Sequence, residues 1–543
     1  MQPYSLTIDK FLDHAAKWFG SQEIIEAECG RVVVRTNYTE LRERSNRLSG
    51  ALAAIGVKVG DRVGTLAWNT RHHLEIYYAA MGMGAICHTL NPRLTVDHLA
   101  LIINEAEDSV LAAAASLMPL VQQLLPRCPT IRHVIVLDAA PSDVTVPDGV
   151  HVWPLEELLA TKGAPVAWGA FDEETPAGLC YTSGTTGKPK GVLYTHRSNY
   201  LHTLRALQAD GMAITARDTI LLAVPMFHAN GWGIPFCAPA VGATLVLPGR
   251  VTDGPSLTRL MREERVTVSM GVPTVWLGVL SELDSSGGDL PTLKRVLVGG
   301  ATCPAALMRR MEERMHVEVQ TSWGMTEVSP MGTVSLPGGV REAPAHCGRV
   351  SMGIDFKLTD AEGVTLPQQR GVVGHLKVKG PAVVGRYFKG ERDALDVEGY
   401  FDTGDLAMID ESGNLMICGR SKDLIKSGGE WINPAEIEAI VGRHPAVASA
   451  VVIGRPDDKW QERPVLIVEL RQGHELEPQA LLDTLRGNIA DWWLPDEIAQ
   501  VRAMPLAATG KLDKMQLRAD YANGVIKGVE SRRERSRTEG SIG

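Results

Sequence analysis

Residues 181–191 read YTSGTTGKPKG, and their surroundings decide the architecture. An apolar run at 177–180 leads in, and a segment of helical period at 198–206 leads out, so the stretch joins a strand to a helix. Within it stand the hydroxyls of Thr182, Ser183, Thr185 and Thr186, the glycines 184, 187 and 191, and Lys188 and Lys190. Glycines let a loop wrap an anion with its backbone N–H groups, and hydroxyls and ammonium groups add donors. That chemistry is a grip for polyphosphate. It is not a Walker loop, because Gly184 and Gly187 stand too close for G-x-x-x-x-G-K and Pro189 follows Lys188. A flexible Ser/Thr/Gly linker is the bland alternative, but linkers do not usually combine such basic and hydroxyl density with a strand and a helix.

Outward from the loop, apolar β-type runs (62–68, 134–137, 219–224, 243–247, 266–270, 295–298) alternate with helical segments (38–55, 71–81, 304–315). This alternation predicts layered α/β sheets, largely parallel, with ligands at the carboxyl ends of strands. After about residue 344 the segments shorten and turn-rich stretches such as DAEG (360–363), GYFDTGD (399–405) and DESGN (410–414) read as hairpins of a small β-rich subdomain. A boundary is expected at GRSKD (419–423). Beyond it an α+β pattern places helices at 434–444 and 478–489 and strands at 448–454 and 464–470. The domains read as 1–421, 422–529 and a solvated tail at 530–543.

The 543 residues exceed what one core usually supports, and 44% hydrophobic with 22% charged residues is ordinary for a globular protein. A net charge of −9 gives no reason to expect nucleic acid. Eight cysteines (29, 87, 128, 180, 237, 303, 347, 418) show no C-x-x-C spacing and read as reduced thiols in the cytoplasm. The start, MQPYSLTIDKFLDHAAKWFG, reads as an amphipathic helix and not a signal peptide, and no run reaches the length of a membrane span.

Other clusters carry chemistry. In TSWGMTE (321–327), Trp323 can stack on a base, Thr326 can donate to phosphate and Glu327 can hold a hard cation. Gly299-Gly300-Ala301 ends an apolar strand, where small residues let backbone approach a flat ligand. In GYFDTGD, Asp405 after a tight turn can accept from a ribose diol. Each has an ordinary reading: a core tryptophan, a turn, a hairpin. GRSKDLIKSGGEWINPAEIE (419–438) likewise reads as a solvated linker and a capped helix, and Lys511 in Thr509-Gly510-Lys511 means nothing alone.

Together, in this order, these clusters with PMFHANGWGIP (225–235), GVPTVW (271–276) and VGGATCP (298–304) resemble the adenylate-forming superfamily of acyl-CoA synthetases, luciferases and adenylation domains. PMFHANGW, KSGGEWI and KWQERP (459–464) are most similar to fatty acyl-CoA ligases, a group that includes 3-methylmercaptopropionate ligases. The resemblance implies ATP-dependent activation of a carboxylic acid, with Mg²⁺ as cofactor and coenzyme A as acceptor; a carrier-protein-loading enzyme is the alternative. It assigns Thr182, Ser183, Gly184, Thr185, Thr186, Gly187, Lys188 and Lys190 to the phosphates, and Thr182 and Glu327 to magnesium. Thr326 would meet the α-phosphate, and Ala301, Thr321, Ser322 and Trp323 the adenine. Asp405 and Arg420 would take the ribose. Lys422 would be the hinge of a mobile C-terminal lid, Lys426 and Trp431 would line the active site, and Lys511 would bind carboxylate and α-phosphate. His228 would guard the acyl carboxylate, Trp232 would gate the acyl tunnel, and Gly300, Val272 and Pro273 would border it. A homodimer is compatible with the resemblance.

Three departures stand out. Trp323 replaces a commoner tyrosine, His375 a glutamate, and Gln461 a frequent glycine. The apolar walls at 227–235, with Val272, Pro273 and Trp276 and no evident buried lysine or arginine, predict a neutral, mostly apolar acyl chain.

Overall fold

The computed structural model describes residues 1–139, 145–182, 189–337, 346–428, 430–507 and 512–530. The chain divides into two compact units, one of Met1–Phe356 with Val378–Phe401, the other of Lys357–Lys377 with Asp402–Gly543. Among the described residues no helix is long and apolar enough to cross a membrane. The tail expected at 530–543 lies outside them from residue 531 onward.

In the first unit a seven-stranded sheet runs His151–Pro154, His133–Val136, Val110–Ala113, Arg62–Leu66, Ile86–Thr89, Pro176–Thr182, Lys190–Thr195. Neighbours are parallel except the last pair, which is antiparallel. Ile86–Thr89 and Val110–Ala113 are buried at every residue, as expected for parallel strands covered on both faces. A second sheet places Glu23–Glu28, Thr244–Leu247, Thr219–Leu221, Val268–Gly271, Arg295–Val298 and Glu318–Gly324 side by side, all parallel. The α/β alternation read from the sequence is therefore what the chain adopts. The expected N-terminal amphipathic helix is Asp9–Trp18, with Phe11, Leu12 and Ala15 buried.

Helix Arg71–Gly82 is buried from His72 to Gly82, so it is apolar nearly all round and belongs to the core. Thr70 caps its start by accepting from His73 N–H. Two of its side chains turn outward to a loop. Tyr77 donates its hydroxyl to the Met226 carbonyl and Tyr78 to the Pro235 carbonyl at 2.7 Å. Asn69 adds bonds to the carbonyls of Leu222 and Val224 and accepts from Met226 N–H, each at 2.8 Å. Segment 222–235 is thus stitched to the core along its length.

The second unit has a six-stranded sheet in the order Glu430–Ile432, Ile425–Ser427, Gln461–Leu470, Glu497–Val501, Gly528–Glu530, with Val447–Asp457 also paired to Gln461–Leu470. Helices Pro434–Val441 and Pro478–Leu485 pack their Ile437, Val441, Leu481, Leu482 and Leu485 into its core. Both stop earlier than the periodicity predicts. Gly442 caps the first, and the second meets Arg486 in extended conformation and Gly487 at φ +74°.

GYFDTGD is the larger difference. The turn ends at Gly399 (φ +81°), and strand Phe401–Ile409 runs straight through Asp402, Thr403, Gly404 and Asp405. Its burial alternates, with Phe401, Thr403 and Asp405 inward and Asp402 outward, which is strand periodicity and not a hairpin tip.

Candidate active site

Thr182 and Lys190 are cross-strand partners, so they close the base of the loop whose Ser183, Gly184, Thr185, Thr186, Gly187 and Lys188 lie outside the described residues. Lys190 Nζ sits 4.9 Å over the ring of Tyr387, a cation–π contact. The Tyr387 hydroxyl donates to Glu327 Oε1 at 3.0 Å. Glu327 is buried in the short turn Thr326–Val328, and the Thr326 carbonyl accepts from the Tyr194 hydroxyl at 2.8 Å. The strand that leaves the loop, Lys190–Thr195, therefore reaches the Thr326–Glu327 turn from both of its ends. Burial, with Glu327 beside it, pushes the Tyr387 phenol well above its ordinary pKa and keeps it a donor. Neither Tyr387 nor Tyr194 was singled out from sequence. Each is a lone tyrosine far along the chain from its partner, and nothing local marks it.

The residues assigned to adenine gather at adjacent strand ends. Val298 and Thr321 are partners on the parallel strands Arg295–Val298 and Glu318–Gly324, so Gly300 and Ala301 emerge beside Thr321, Ser322 and Trp323. Ser322 Oγ donates to the Val298 carbonyl at 3.3 Å, and Thr321 Oγ1 to the His346 carbonyl at 2.6 Å. A Cβ on Gly299 would stand 2.5 Å from Ser322 Oγ and 3.1 Å from the Trp232 ring, so the glycine permits this close approach. Trp323 is 7% exposed. Its indole packs under Gly332, where a Cβ would meet it at 2.3 Å, and lies edge-on to Phe356.

On the acyl side, Ala229, Asn230, Gly231, Trp232 and Gly233 all have positive φ, a left-handed turn of five residues. Each of the three non-glycine residues in it costs about 1 kcal/mol or more. The Asn69, Tyr77 and Tyr78 bonds to the flanking backbone hold it. The turn sets His228 half-buried at its start and lays Trp232 on Gly299, which brings the acyl residues next to Gly300 and Ser322. Val272 stands just before helix Pro273–Ser286, half-buried like Pro273, with Trp276 fully buried one turn on.

The stretch 227–235 itself holds no lysine or arginine, but a helix packed on it carries a buried arginine. Arg205, on helix His196–Ala206, is 5% exposed, and its guanidinium donates to the Met331 carbonyl. His202, on the same helix, accepts from Met331 N–H at 3.2 Å, and its ring fits against Gly233. Burial lowers the Arg205 pKa to about 10, and burial together with Arg205 drives His202 well below the usual histidine range. Helical spacing shows Arg205 on a mostly polar segment, which is why the sequence concealed it.

In the second unit Asp405 and Arg420 are cross-strand partners, with Arg420 Nε 2.7 Å from Asp405 Oδ1. Asp405 is 1% exposed, and the more exposed Arg420 presents the outer side of the pair. His375 and Ser421 Oγ lie within hydrogen-bond distance, 3.1 Å, at the start of the turn Ser421–Asp423 that carries exposed Lys422. Lys426 and Trp431, both exposed, pair across strands with the ammonium 5.5 Å from the ring. Gly428 at φ +63° packs on the Trp460 ring. Gln461 stands at φ +69°, the conformation that explains a frequent glycine there. Lys511 lies outside the described residues. The helix that follows it, Lys514–Ala522, is pinned by Lys514 to Glu438 (2.8 Å) and by Arg518 to Asp423 (2.9 Å).

A loop rich in donors beside a carboxylate and a lysine can hold a polyphosphate with a divalent cation. Thr182 and Glu327 offer hydroxyl and carboxylate oxygens, the donor set such a hard cation takes. Comparison with known proteins agrees. The model of the AMP-binding enzyme family matches residues 13–388, and that of the AMP-binding enzyme C-terminal domain matches 436–511. A 3-methylmercaptopropionyl-CoA ligase of Ruegeria lacuscaerulensis is 40% identical, with 97% of this chain and 99% of that protein aligned. A medium-chain-fatty-acid–CoA ligase of Ectopseudomonas oleovorans is 38% identical over 98% and 99%. Among solved structures, ATP-bound MatB from Rhodopseudomonas palustris superposes with TM-score 0.84 at 25% identity, covering 95% of this chain and 99% of that one.

Proposed function

The chain belongs to the AMP-binding enzyme family, and on that premise we propose that it is an ATP-dependent acyl-CoA ligase. Such an enzyme joins a carboxylic acid to AMP with release of pyrophosphate, then passes the acyl group to the coenzyme A thiol and releases AMP. It uses ATP, Mg²⁺ and coenzyme A. The observation that carries the reading is the Lys190–Tyr387–Glu327 assembly at the base of the 183–188 loop.

A carboxylic acid does not acylate a thiol at neutral pH because hydroxide leaves poorly; AMP leaves readily. Our assignment gives the triphosphate to Thr182, Lys190 and the loop between them, the α-phosphate to Thr326, and the adenine to Ala301, Thr321, Ser322 and Trp323. Thr182 and Glu327 would hold magnesium, which would supply positive charge against the phosphates. Asp405 and Arg420 take the ribose, and His228 orients the acyl carboxylate. Lys511 offsets charge as pyrophosphate departs. The two steps need different surfaces over the same reacting atoms, so 422–529 acts as a lid turning about Lys422 on the 1–421 body, with Lys426, Trp431 and the 428–429 loop serving the second step.

The names of the relatives support a fatty acid as first substrate class. A short substituted acid is the second, and the buried Arg205 and His202 favour it. We place the enzyme in the cytoplasm on the strength of its eight free thiols, and as a homodimer by analogy with the superfamily. The test is pyrophosphate release across a carboxylate panel, with and without coenzyme A. Acyl-CoA and AMP are expected in equal amounts. Adenylate formation with no transfer to coenzyme A would favour the carrier-loading alternative, and no ATP turnover with any acid would end the proposal.

A further inference from the structure

Helix His196–Ala206 carries four buried side-chain nitrogens that meet no acceptor, on His196, Asn199, His202 and Arg205, and the last two both lie against Met331. Met331 N–H donates to His202 Nε2, which puts the ring proton on Nδ1, and Nδ1 is buried without a partner. Three residues on, Arg205 spends one terminal nitrogen on the Met331 carbonyl while its Nε is buried without a partner. Among the described residues Arg205 forms no ion pair. Buried guanidinium groups are ordinarily matched to carboxylates, since an unmatched buried donor or charge is costly.

Position gives the pair a use. The His202 ring lies against Gly233, where a Cβ would stand 2.8 Å from Cε1 and 3.1 Å from Nδ1. Gly233 follows Trp232, and Trp232 rests on Gly299 beside Ser322. A chain of packed residues therefore runs from the strand ends at 298–301 and 321–323, through the left-handed turn, to the His202 ring, and Arg205 stands three residues further along the same helix.

We propose that Arg205 and His202 form the distal end of the acyl compartment and select acids carrying a second carboxylate over unsubstituted acids of equal length. The proposal rests on the ligase reading above and names its substrate class. The far carboxylate would accept from Arg205 Nε and His202 Nδ1, leaving the near one for adenylation beside His228. A terminal methyl would satisfy neither donor. Polar sites built this way discriminate more strongly than apolar pockets do, because the wrong ligand leaves them unpaired.

The experiment measures kcat/KM for acyl-CoA formation with glutarate and adipate against pentanoate and hexanoate, in the full-length wild type, Arg205→Met and Arg205→Lys. The wild type is expected to favour the diacids at least tenfold. Arg205→Met should reverse that preference with the KM for ATP unchanged, and Arg205→Lys should keep part of it. A wild type that turns over the monoacids and not the diacids overturns this inference and leaves the ligase reading standing. No pyrophosphate release with any of the four acids or longer chains overturns both. The wild-type ratio decides the question even where a variant fails to fold. A ratio unmoved in folded Arg205→Met removes Arg205 from the site.

Discussion

The Tyr387 phenol holds Glu327 Oε1 at 3.0 Å while its ring carries Lys190 4.9 Å above it, so one side chain ties the phosphate loop to the carboxylate assigned to magnesium. Tyr387→Phe keeps the ring and the lysine contact but frees Glu327. A hydrogen bond to a charged group is worth about 1.5 kcal/mol or more, so the KM for MgATP should rise roughly tenfold. Glu327→Gln should lose activity and regain part of it at high Mg²⁺. Titrating Mg²⁺ at fixed ATP checks both; full activity of Glu327→Gln at low Mg²⁺ would take this residue out of the metal site.

Lys511 is expected to serve adenylation and not thioester formation. Lys511→Ala should lose ATP–pyrophosphate exchange by a few orders of magnitude, the scale of removing a preorganised charge from a transition state. Supplied with preformed acyl-adenylate, the variant should still make thioester at close to the wild-type rate. Equal losses in the two half-reactions would mean the lysine never leaves the reacting atoms.

Trp232 lies on Gly299, and our reading assigns it the mouth of the acyl path. Trp232→Ala should broaden chain-length tolerance by about 1–3 kcal/mol in relative kcat/KM and increase hydrolysis of the adenylate, because a large ring that excludes water is gone. The KM for ATP should barely move. Weakened ATP binding with unaltered acid selectivity would reassign the tryptophan to the nucleotide.

Buried histidines set the response to acid. Burial lowers His72 and His196 to about 3 and His73 to about 4 from an ordinary 6.5. Their folded pKa values are depressed, so the unfolded chain binds protons that the native one refuses. The stability they contribute is complete above pH 6.5 and is lost as pH falls towards 3–4. At pH 5 each of these histidines costs about 2 kcal/mol. Asp9, Glu26 and Glu75, raised by burial, act in the opposite sense as they protonate. Urea midpoints should therefore fall from pH 7 to pH 5, and His72→Gln should flatten that slope; equal slopes in the two proteins would contradict the assignment.

What local pattern could say, it said well. Strand Arg295–Val298 matches its reading to the residue, and helix Ala305–Met315 to within one. Asp405 was read in a turn because Asp, Thr and Gly favour turns, yet pairing with Asn414–Arg420 drew it into a strand. Tyr387 meets Glu327 across 60 residues, and Arg205 is buried by Met331 from 126 residues away. No window of sequence contains such pairs. The turn at 229–233 was equally hidden, since its handedness is imposed by Asn69, Tyr77 and Tyr78.

That left-handed turn also limits how this enzyme can be re-engineered. At φ +56°, position 232 accepts glycine or asparagine with relief, tolerates alanine at the backbone cost tryptophan already bears, and resists valine, isoleucine and threonine whatever room the tunnel offers. A saturation library there would return survivors sorted first by torsion and only then by side-chain size. Breeding new substrate ranges would do better to vary Val272 and Pro273, where φ is ordinary, and leave residues 229–233 as inherited.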